Sequence, residues 1–246
     1  MDREWRFSKL VLGLALVLSF SVNFDSAVVI PLIANYAVFL GASTALAGFI
    51  VGAYSIIHIP SNIIFGRVVD RVGRKIPLTI GLILDGLSLF LYSIVNSPML
   101  LLLARILHGL GGGLGGPATM SYVGDLIPRR TSGRGMALYG MSVAFAMLFG
   151  FMIGGIGAHF FGYEALFRYI AYILLLMAVF SLALPSIYGR IDSNYSLLDE
   201  FRIFKRMISR AELLPSYASI FTVNFVLGII TTVYAISLKG FGYEDS

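Results

Sequence analysis

The feature that most constrains this sequence is a series of apolar segments, each long enough to cross a lipid bilayer. A membrane-spanning helix needs about 20 predominantly apolar residues. Seven segments meet that criterion: Leu10–Leu32, Thr44–Phe65, Ile76–Val95, Met99–Val123, Met136–His159, Leu166–Ile187 and Ser216–Leu238. The pattern predicts an all-α membrane protein with seven transmembrane helices and the lipid bilayer as its environment.

The composition agrees with a membrane protein and excludes several classes of function. Charged residues make up 13% of the 246 residues, roughly half the fraction typical of a soluble domain. The chain has no Cys, which excludes disulfides, thiolate metal sites and Cys nucleophiles. No patch of basic residues with aromatic partners predicts nucleic-acid binding. Because no nucleophile or metal constellation is evident either, we expect no enzyme activity, no cofactor and no metal site.

The basic residues are distributed unevenly between the two sides of the predicted helices. Fifteen of the 18 Lys and Arg residues precede the first segment or lie in the loops after the second, fourth and sixth segments. Only Arg168 and Lys239 lie on the opposite side, and Arg105 lies inside the fourth segment. By the positive-inside rule, the N-terminus and the loop after the sixth segment are cytoplasmic, and the protein lies in the cytoplasmic membrane.

The densest charged stretch is Gly66–Lys75, GRVVDRVGRK, between the second and third segments. Asp70 lies four residues before Arg74, a spacing that allows an ion pair in a helix. Gly66 would allow another helix to pack closely, and Gly73 would allow a tight turn. The stretch therefore has features beyond those needed to orient the chain in the membrane.

The pattern G-x-x-x-D-R-x-G-R-K resembles the signature loop of the major facilitator superfamily of secondary transporters, at the same topological position. Its fixed positions are Gly66, Asp70, Arg71, Gly73, Arg74 and Lys75. The resemblance implies that these residues form a conformational latch, in which the Asp caps a helix of the C-terminal half and closes the cytoplasmic side. An acid at the end of the fourth helix often joins this network. We expect Asp125 to pair with Arg71 or Arg74.

Three further stretches resemble parts of the same family. Arg105 to Gly109 is similar to the Arg-containing pattern of the fourth helix, with His108 where Gln is common. Asp25 followed by Pro31 resembles the intramembrane Asp and Pro of drug/proton antiporter-like members. Gly150–Gly155 matches part of the antiporter signature of the fifth helix. The resemblance implies alternating-access transport of a small solute, with proton-coupled efflux as the expected direction.

Five ionisable residues lie within the predicted spans, where such groups are costly and usually functional: Asp25, His58, Asp85, Arg105 and His108. Asp25 and Arg105 each lie roughly 10 Å below the outer surface, at 1.5 Å per residue. We expect them to pair, directly or through water, because an isolated buried charge is very unfavourable. His108 lies one turn from Arg105, and Asp85 has no partner evident from the sequence. These four residues are predicted for proton coupling or substrate contact, the alternative being a structural pair.

The resemblance also implies a division of the chain. Residues 1–187 correspond to the N-terminal six-helix half, 188–215 to a cytoplasmic inter-domain loop, and 216–246 to a seventh helix that opens an incomplete C-terminal half. Family members have two six-helix halves, so we expect a fragment or a truncated product that needs the missing half as its partner. The alternative is a seven-helix receptor or sensor. A cytoplasmic N-terminus argues against most such receptors, and the seventh segment has no central Lys for a retinal Schiff base.

Overall fold

The computed structural model describes residues 2–188, 202, 205–206 and 208–230. Every regular element in this part of the chain is helical, which confirms the all-α fold class. The α-helices are α1 (Asp2–Val29), α2 (Ile33–Phe39), α3 (Thr44–Val72), α4 (Lys75–Tyr92), α5 (Pro98–Leu126), α6 (Ser132–Ser181) and α7 (Leu214–Gly228). Two short 3₁₀ helices, Arg129–Thr131 and Ala211–Leu213, precede α6 and α7.

Five of these helices, α1 and α3 to α6, are long and apolar enough to cross a membrane. The 50 residues of α6 correspond to roughly 75 Å of helix, more than twice the ~30 Å of a bilayer core. The helix breaks at Gly162, where φ is 75°, a conformation that glycine adopts readily. Leu166 lies against Gly157 across the break, so α6 turns back on itself. Its first arm (132–161) and second arm (163–181) correspond to the fifth and sixth predicted segments.

Several helix boundaries differ from the predicted ones. Helix α1 ends at Val29 rather than Leu32, because Pro31 lacks an N–H group and disfavours helical geometry in the residue before it. The buried helix α2 follows and was not predicted. The second arm of α6 ends at Ser181 rather than Ile187, four residues before Pro185. Helix α7 begins at Leu214, and the end of the predicted seventh segment lies outside the described residues.

The bundle is assembled around α5, which packs against α1, α3 and α4. One close approach to α4 is between two glycines: a Cβ atom on Gly81 would lie 2.7 Å from the backbone nitrogen of Gly115. Such small residues allow the backbones of membrane helices to approach closely. The first arm of α6 packs on α1 through Gly150 and Gly154. The second arm packs on α4, where the Ser181 and Thr79 hydroxyls lie 2.6 Å apart.

The outer faces of the described helices are rich in large exposed apolar side chains. They include Phe49, Ile59, Leu103, Leu148, Phe160 and Val179. Exposed apolar surface on this scale is typical of helices that face lipid tails, because the bilayer core contains no water and apolar side chains are favourable there.

Candidate functional site

The structure brings together the four residues predicted for proton coupling or substrate contact. Asp25 comes from α1, Asp85 from α4, and Arg105 and His108 from α5. Asp25, Asp85 and His108 are 0% exposed and Arg105 is 3% exposed. We call these four residues the buried charge cluster. Its members come from three helices that meet because α1 and α4 both pack on α5.

His108 lies at the centre of the cluster. Its Nε2 is 3.0 Å from Asp25 Oδ2, and its Nδ1 is 3.1 Å from the Tyr92 hydroxyl and 3.4 Å from Arg105 Nη1. A guanidinium group can only donate hydrogen bonds, so Nδ1 must accept them and cannot carry a proton. The hydrogen-bond network therefore assigns the neutral tautomer in which Nε2–H donates to Asp25.

The predicted pairing of Asp25 with Arg105 needs a correction. These two described residues form no direct ion pair, and the imidazole of His108 lies between them. The reason is the spacing on α5, where His108 follows Arg105 by three residues and so shares its face. The Arg105 guanidinium instead lies over the ring of Tyr54 on α3, 4.8 Å from its centroid.

The two carboxylates of the cluster have different surroundings. Asp25 Oδ1 accepts a hydrogen bond from the Ser26 backbone N–H at 2.6 Å, and Oδ2 accepts one from His108. Neither oxygen of Asp85 has a hydrogen-bond partner among the described residues. The Asp85 carboxylate lies directly against Gly111 of α5, and a Cβ atom at that position would overlap it. Asp85 is therefore accommodated by a glycine, and no donor in the described part of the chain stabilises its carboxylate.

Asp25, Asp85 and His108 each place one ligand atom within 4.8 Å of the others. Three protein ligands at short spacing are typical of metal sites. Two features argue against a metal ion in this cluster. The nitrogen that His108 turns toward Asp25 carries a hydrogen in the assigned tautomer, and the positive charge of Arg105 is adjacent. The cluster is better suited to a proton than to a metal.

Polar groups beyond the four predicted residues surround the cluster, and Tyr54, Ser26 and Tyr92 among them were not expected from the sequence. The Tyr54 hydroxyl lies 3.2 Å from Ser26 Oγ, and the Tyr92 hydroxyl contacts His108. The half-buried ring of His58 stacks on Tyr54 with centroids 4.9 Å apart, so it adjoins the cluster. A Tyr residue within a predicted span indicates that its hydroxyl will have a hydrogen-bond partner. The sequence does not identify that partner.

A layer of aromatic side chains closes the bundle at the end where α2 lies. Tyr36 of α2 is 0% exposed and its hydroxyl donates to the Tyr92 carbonyl oxygen at 2.7 Å. Its ring contacts those of Tyr163 and Phe167 at centroid distances of 5.1 and 5.4 Å. Burial, together with the charge of Glu164, raises the pKa of Tyr36 to about 12. The hydroxyl therefore stays protonated and links α2 to the residue that contacts His108.

The second group of predicted residues lies at the junction of α3 and α4. The stretch Gly66–Lys75 is mostly helical rather than a loop, because α3 continues to Val72. Gly73 ends the helix with a φ of 98°, which confirms that a turn requiring glycine occurs there. No described atom lies within 4 Å of the position of a Cβ on Gly66. The close helix approach expected at Gly66 is therefore absent from the described part of the chain.

Arg74 connects the ends of three helices at this junction. Its Nη1 lies 2.7 Å from Asp70 Oδ1 of α3, and its Nε lies 2.9 Å from Asp125 Oδ2 of α5. Nη1 also donates to the Val69 carbonyl oxygen at 2.8 Å. Both expected ion pairs are present, and of the two candidate partners of Asp125 the structure pairs it with Arg74. We call Asp70, Arg74 and Asp125 the junction cluster.

Comparison with known proteins identifies the family. A family model described as Major Facilitator Superfamily matches residues 15–246. This chain belongs to the major facilitator superfamily. Membership of this superfamily favours a transporter over the seven-helix receptor that the sequence left open, and over an enzyme.

Curated relatives of this superfamily member include proteins named for drug resistance. Multidrug resistance protein 1 of Bacillus subtilis is 25% identical over 214 residues, which cover 84% of this chain and 53% of that protein. The inner membrane transport protein YajR of Escherichia coli is 33% identical over 149 residues, covering 58% of this chain and 31% of that protein. The chain thus spans about a third to a half of these two relatives.

A solved structure supports the fold. The structure of a bacterial homologue of the human lysosomal transporter Spinster, in an inward-facing and unoccupied conformation, aligns with a TM-score of 0.76. The alignment covers 94% of this chain and 55% of that one, at 15% identity. A likeness at this identity shows the fold alone.

Proposed function

We propose that this superfamily member is a secondary active transporter that exports a small solute by alternating access, driven by protons. The observation that carries the proposal is the buried charge cluster. Ionisable residues inside membrane spans are expensive and mark ion or substrate pathways. The relative named as a multidrug resistance protein supports the efflux direction.

The buried charge cluster is the proposed coupling site. Asp25, Asp85, Arg105 and His108 share a dry environment, in which the gain or loss of one proton changes the electrostatic energy of the other three groups strongly. A group that is sensitive in this way can link proton binding to a change in helix packing. The aromatic layer around Tyr36 supports the role because it keeps the cluster dry at one end of the bundle.

The junction cluster is the proposed conformational latch. Asp70, Arg74 and Asp125 hold the ends of α3, α4 and α5 together. The side chain of Asp70 is 60% exposed, so its second oxygen remains accessible to a helix N-terminus, where a negative charge is favoured. In this proposal residues 1–187 form one half of the transporter, 188–215 the inter-domain loop, and residues from 216 onward belong to the second half.

We further propose that the N-terminus and the inter-domain loop are cytoplasmic in the cell membrane, as the distribution of basic residues indicates. A reporter enzyme that is active only in the cytoplasm should be active when fused within 192–199, and inactive when fused after residue 241. Both fusion points lie outside the described residues. The reverse pattern of activities would contradict the proposed orientation.

Proton-driven export is tested in cells that express the full reading frame containing this chain. We expect lower accumulation of a fluorescent cation such as ethidium, or of a quinolone, than in cells without it. A protonophore should restore accumulation, because it removes the proton gradient that drives export. His108→Gln should abolish export, since it removes the imidazole that links Asp25 to Arg105.

His159→Gln is the matched control for this experiment. His159 is exposed, lies in the first arm of α6 and contacts Phe160 rather than the cluster. This variant should export as well as the unmodified protein. Export that persists after the proton gradient has been collapsed would contradict proton coupling, and equal losses in both His variants would contradict a specific role for the cluster.

A further inference from the structure

We infer that Asp85, rather than Asp25, holds the exchangeable proton of the buried charge cluster, and that Asp25 stays ionised as the counter-ion of Arg105. The inference rests on the proposed proton coupling and assigns its chemistry to one carboxyl group. Motif resemblance pointed to Asp25, whereas Asp85 had no partner evident from the sequence. The structure distinguishes the two carboxylates by their hydrogen-bond partners and by the charges around them.

The net charge of the buried charge cluster favours one bound proton. Arg105 is always positively charged, and His108 is neutral because its Nδ1 faces the donors of Arg105 and Tyr92. If both Asp25 and Asp85 were ionised, the cluster would carry one uncompensated negative charge. One oxygen of each carboxylate lies within 4.8 Å of the other, and two like charges this close in a dry site strongly oppose joint ionisation. One bound proton neutralises the cluster.

The hydrogen-bond partners of the two carboxylates determine which of them binds this proton. Asp25 accepts hydrogen bonds from the Ser26 backbone and from His108, and both stabilise its ionised form. Through His108 it is also linked to the charge of Arg105. Asp85 is 0% exposed and accepts no hydrogen bond from any described residue. Burying an ionised carboxylate without donors is far more costly than burying a neutral carboxyl group, so the proton resides on Asp85.

The titratable groups around Asp85 agree with this assignment. Asp25 on α1 and His108 on α5 each place a ligand atom within 4.8 Å of an Asp85 oxygen, and Tyr54 on α3 and Tyr92 on its own helix are close enough to interact with it electrostatically. Arg105 contacts His108, and His58 stacks on Tyr54. The second arm of α6 presents the apolar residues Ala171 and Leu175 to Gly86, the neighbour of Asp85. Among the described residues, Arg105 is thus the permanent positive charge of this environment, and Asp25 is linked to it.

A proton fits this site better than a hard metal cation. Hard cations such as Ca²⁺ take six to eight oxygen ligands, and the two carboxylates supply at most four. The Asp85 carboxylate also lies directly against the Gly111 backbone, which leaves little room for coordinating water. A proton needs no coordination shell.

The proposed step is dissociation of the Asp85 carboxyl group into a carboxylate and a proton released to water.

Infrared spectroscopy of the purified chain in lipid tests the assignment directly. A protonated carboxyl group has a C=O stretching band that shifts in D₂O and is absent from ionised carboxylates. At neutral pH we expect one such band from a buried group, and we expect it to disappear on strong alkalinisation. Asp85→Glu should move the band, because the proton then sits on a different side chain. Asp25→Glu is the matched control and should leave its frequency unchanged.

Asp85→Glu and Asp25→Glu both retain a carboxyl group, so neither removes a charge on which folding depends. Asp85→Asn should abolish the band while the helical circular dichroism stays unchanged. A band that moves with Asp25→Glu, that survives Asp85→Asn, or that disappears when NaCl is added at constant pH would overturn the assignment. Failure of proton-driven export would overturn the proposed function without moving this band, so the two failures are distinguishable.

Discussion

Asp25→Asn should lower the free energy of unfolding of the helix bundle by about 3–5 kcal/mol, the usual cost of removing one partner from a buried ion pair. The substitution leaves the Arg105 guanidinium, which is 3% exposed, without the negative charge that it reaches through His108. Arg105→Gln should have a similar effect, because it leaves Asp25 ionised and buried. Equilibrium unfolding in mixed detergent micelles, followed by circular dichroism, measures both losses.

The double variant shows whether the two residues interact. Asp25→Asn combined with Arg105→Gln removes both charges, so it should be more stable than the sum of the single losses implies. Strictly additive losses would show that His108 does not couple the two residues. Asp85→Asn is the matched control, since it changes a buried carboxyl at the same site. It should cost less than about 1 kcal/mol, because a carboxyl that is already neutral loses no charge.

Arg74→Gln should lower the free energy of unfolding by about 2–3 kcal/mol, because hydrogen bonds to charged groups contribute up to that amount. Arg74 is 6% exposed and contacts Asp70, Asp125 and the Val69 carbonyl oxygen. The side chains of Asp70 and Asp125 are 60% and 41% exposed. Solvent screens both acids, so the expected loss is smaller than for the buried charge cluster.

A site-specific label can detect the opening of this junction. The chain has no Cys, so Val69→Cys provides a single thiol at a position that is 0% exposed. Its labelling rate should rise by at least about tenfold when Arg74→Gln is added, since each 1.4 kcal/mol changes an equilibrium tenfold. Arg130→Gln removes the same charge from an exposed position nearby and is the control. Equal labelling in the two variants would contradict the role of Arg74.

Asp70→Asn should have a smaller effect on the described bundle than Arg74→Gln. Arg74 retains its bonds to Asp125 and Val69 in that variant, and Asp70 is exposed enough for solvent to replace its contribution. This difference separates the stabilising role of Arg74 from the proposed latch role of Asp70, which would act on the other half of a transporter.

Sequence alone determined the features of this protein that depend on local composition. Apolar segments of membrane-spanning length predicted the long helices, because backbone groups in lipid must be satisfied within the helix. The spacing of Asp70 and Arg74 predicted an ion pair that the structure contains. The two residues do not share a helix, because α3 ends at Val72 and the turn at Gly73 places Arg74 beside Asp70. The motif of Gly66–Lys75 led to the correct family, because all its fixed positions lie within ten residues of the chain and can be read without the fold.

Tertiary structure decided the features that depend on how the helices are rotated against one another. Residue counts predict the depth of a side chain in the membrane, and they predicted that Asp25 and Arg105 lie close together. In the structure both residues contact His108. The position of His108 between them, and of Asp85 beside Asp25 and His108, depends on which faces of the helices meet. Where α4 meets α5, Gly81 closely approaches Gly115 and Asp85 contacts Gly111, whereas Gly116 and Gly124 of the same helix α5 make no comparably close contact. The helical period alone does not reveal which glycines meet, so only the packed bundle distinguishes the two buried carboxylates.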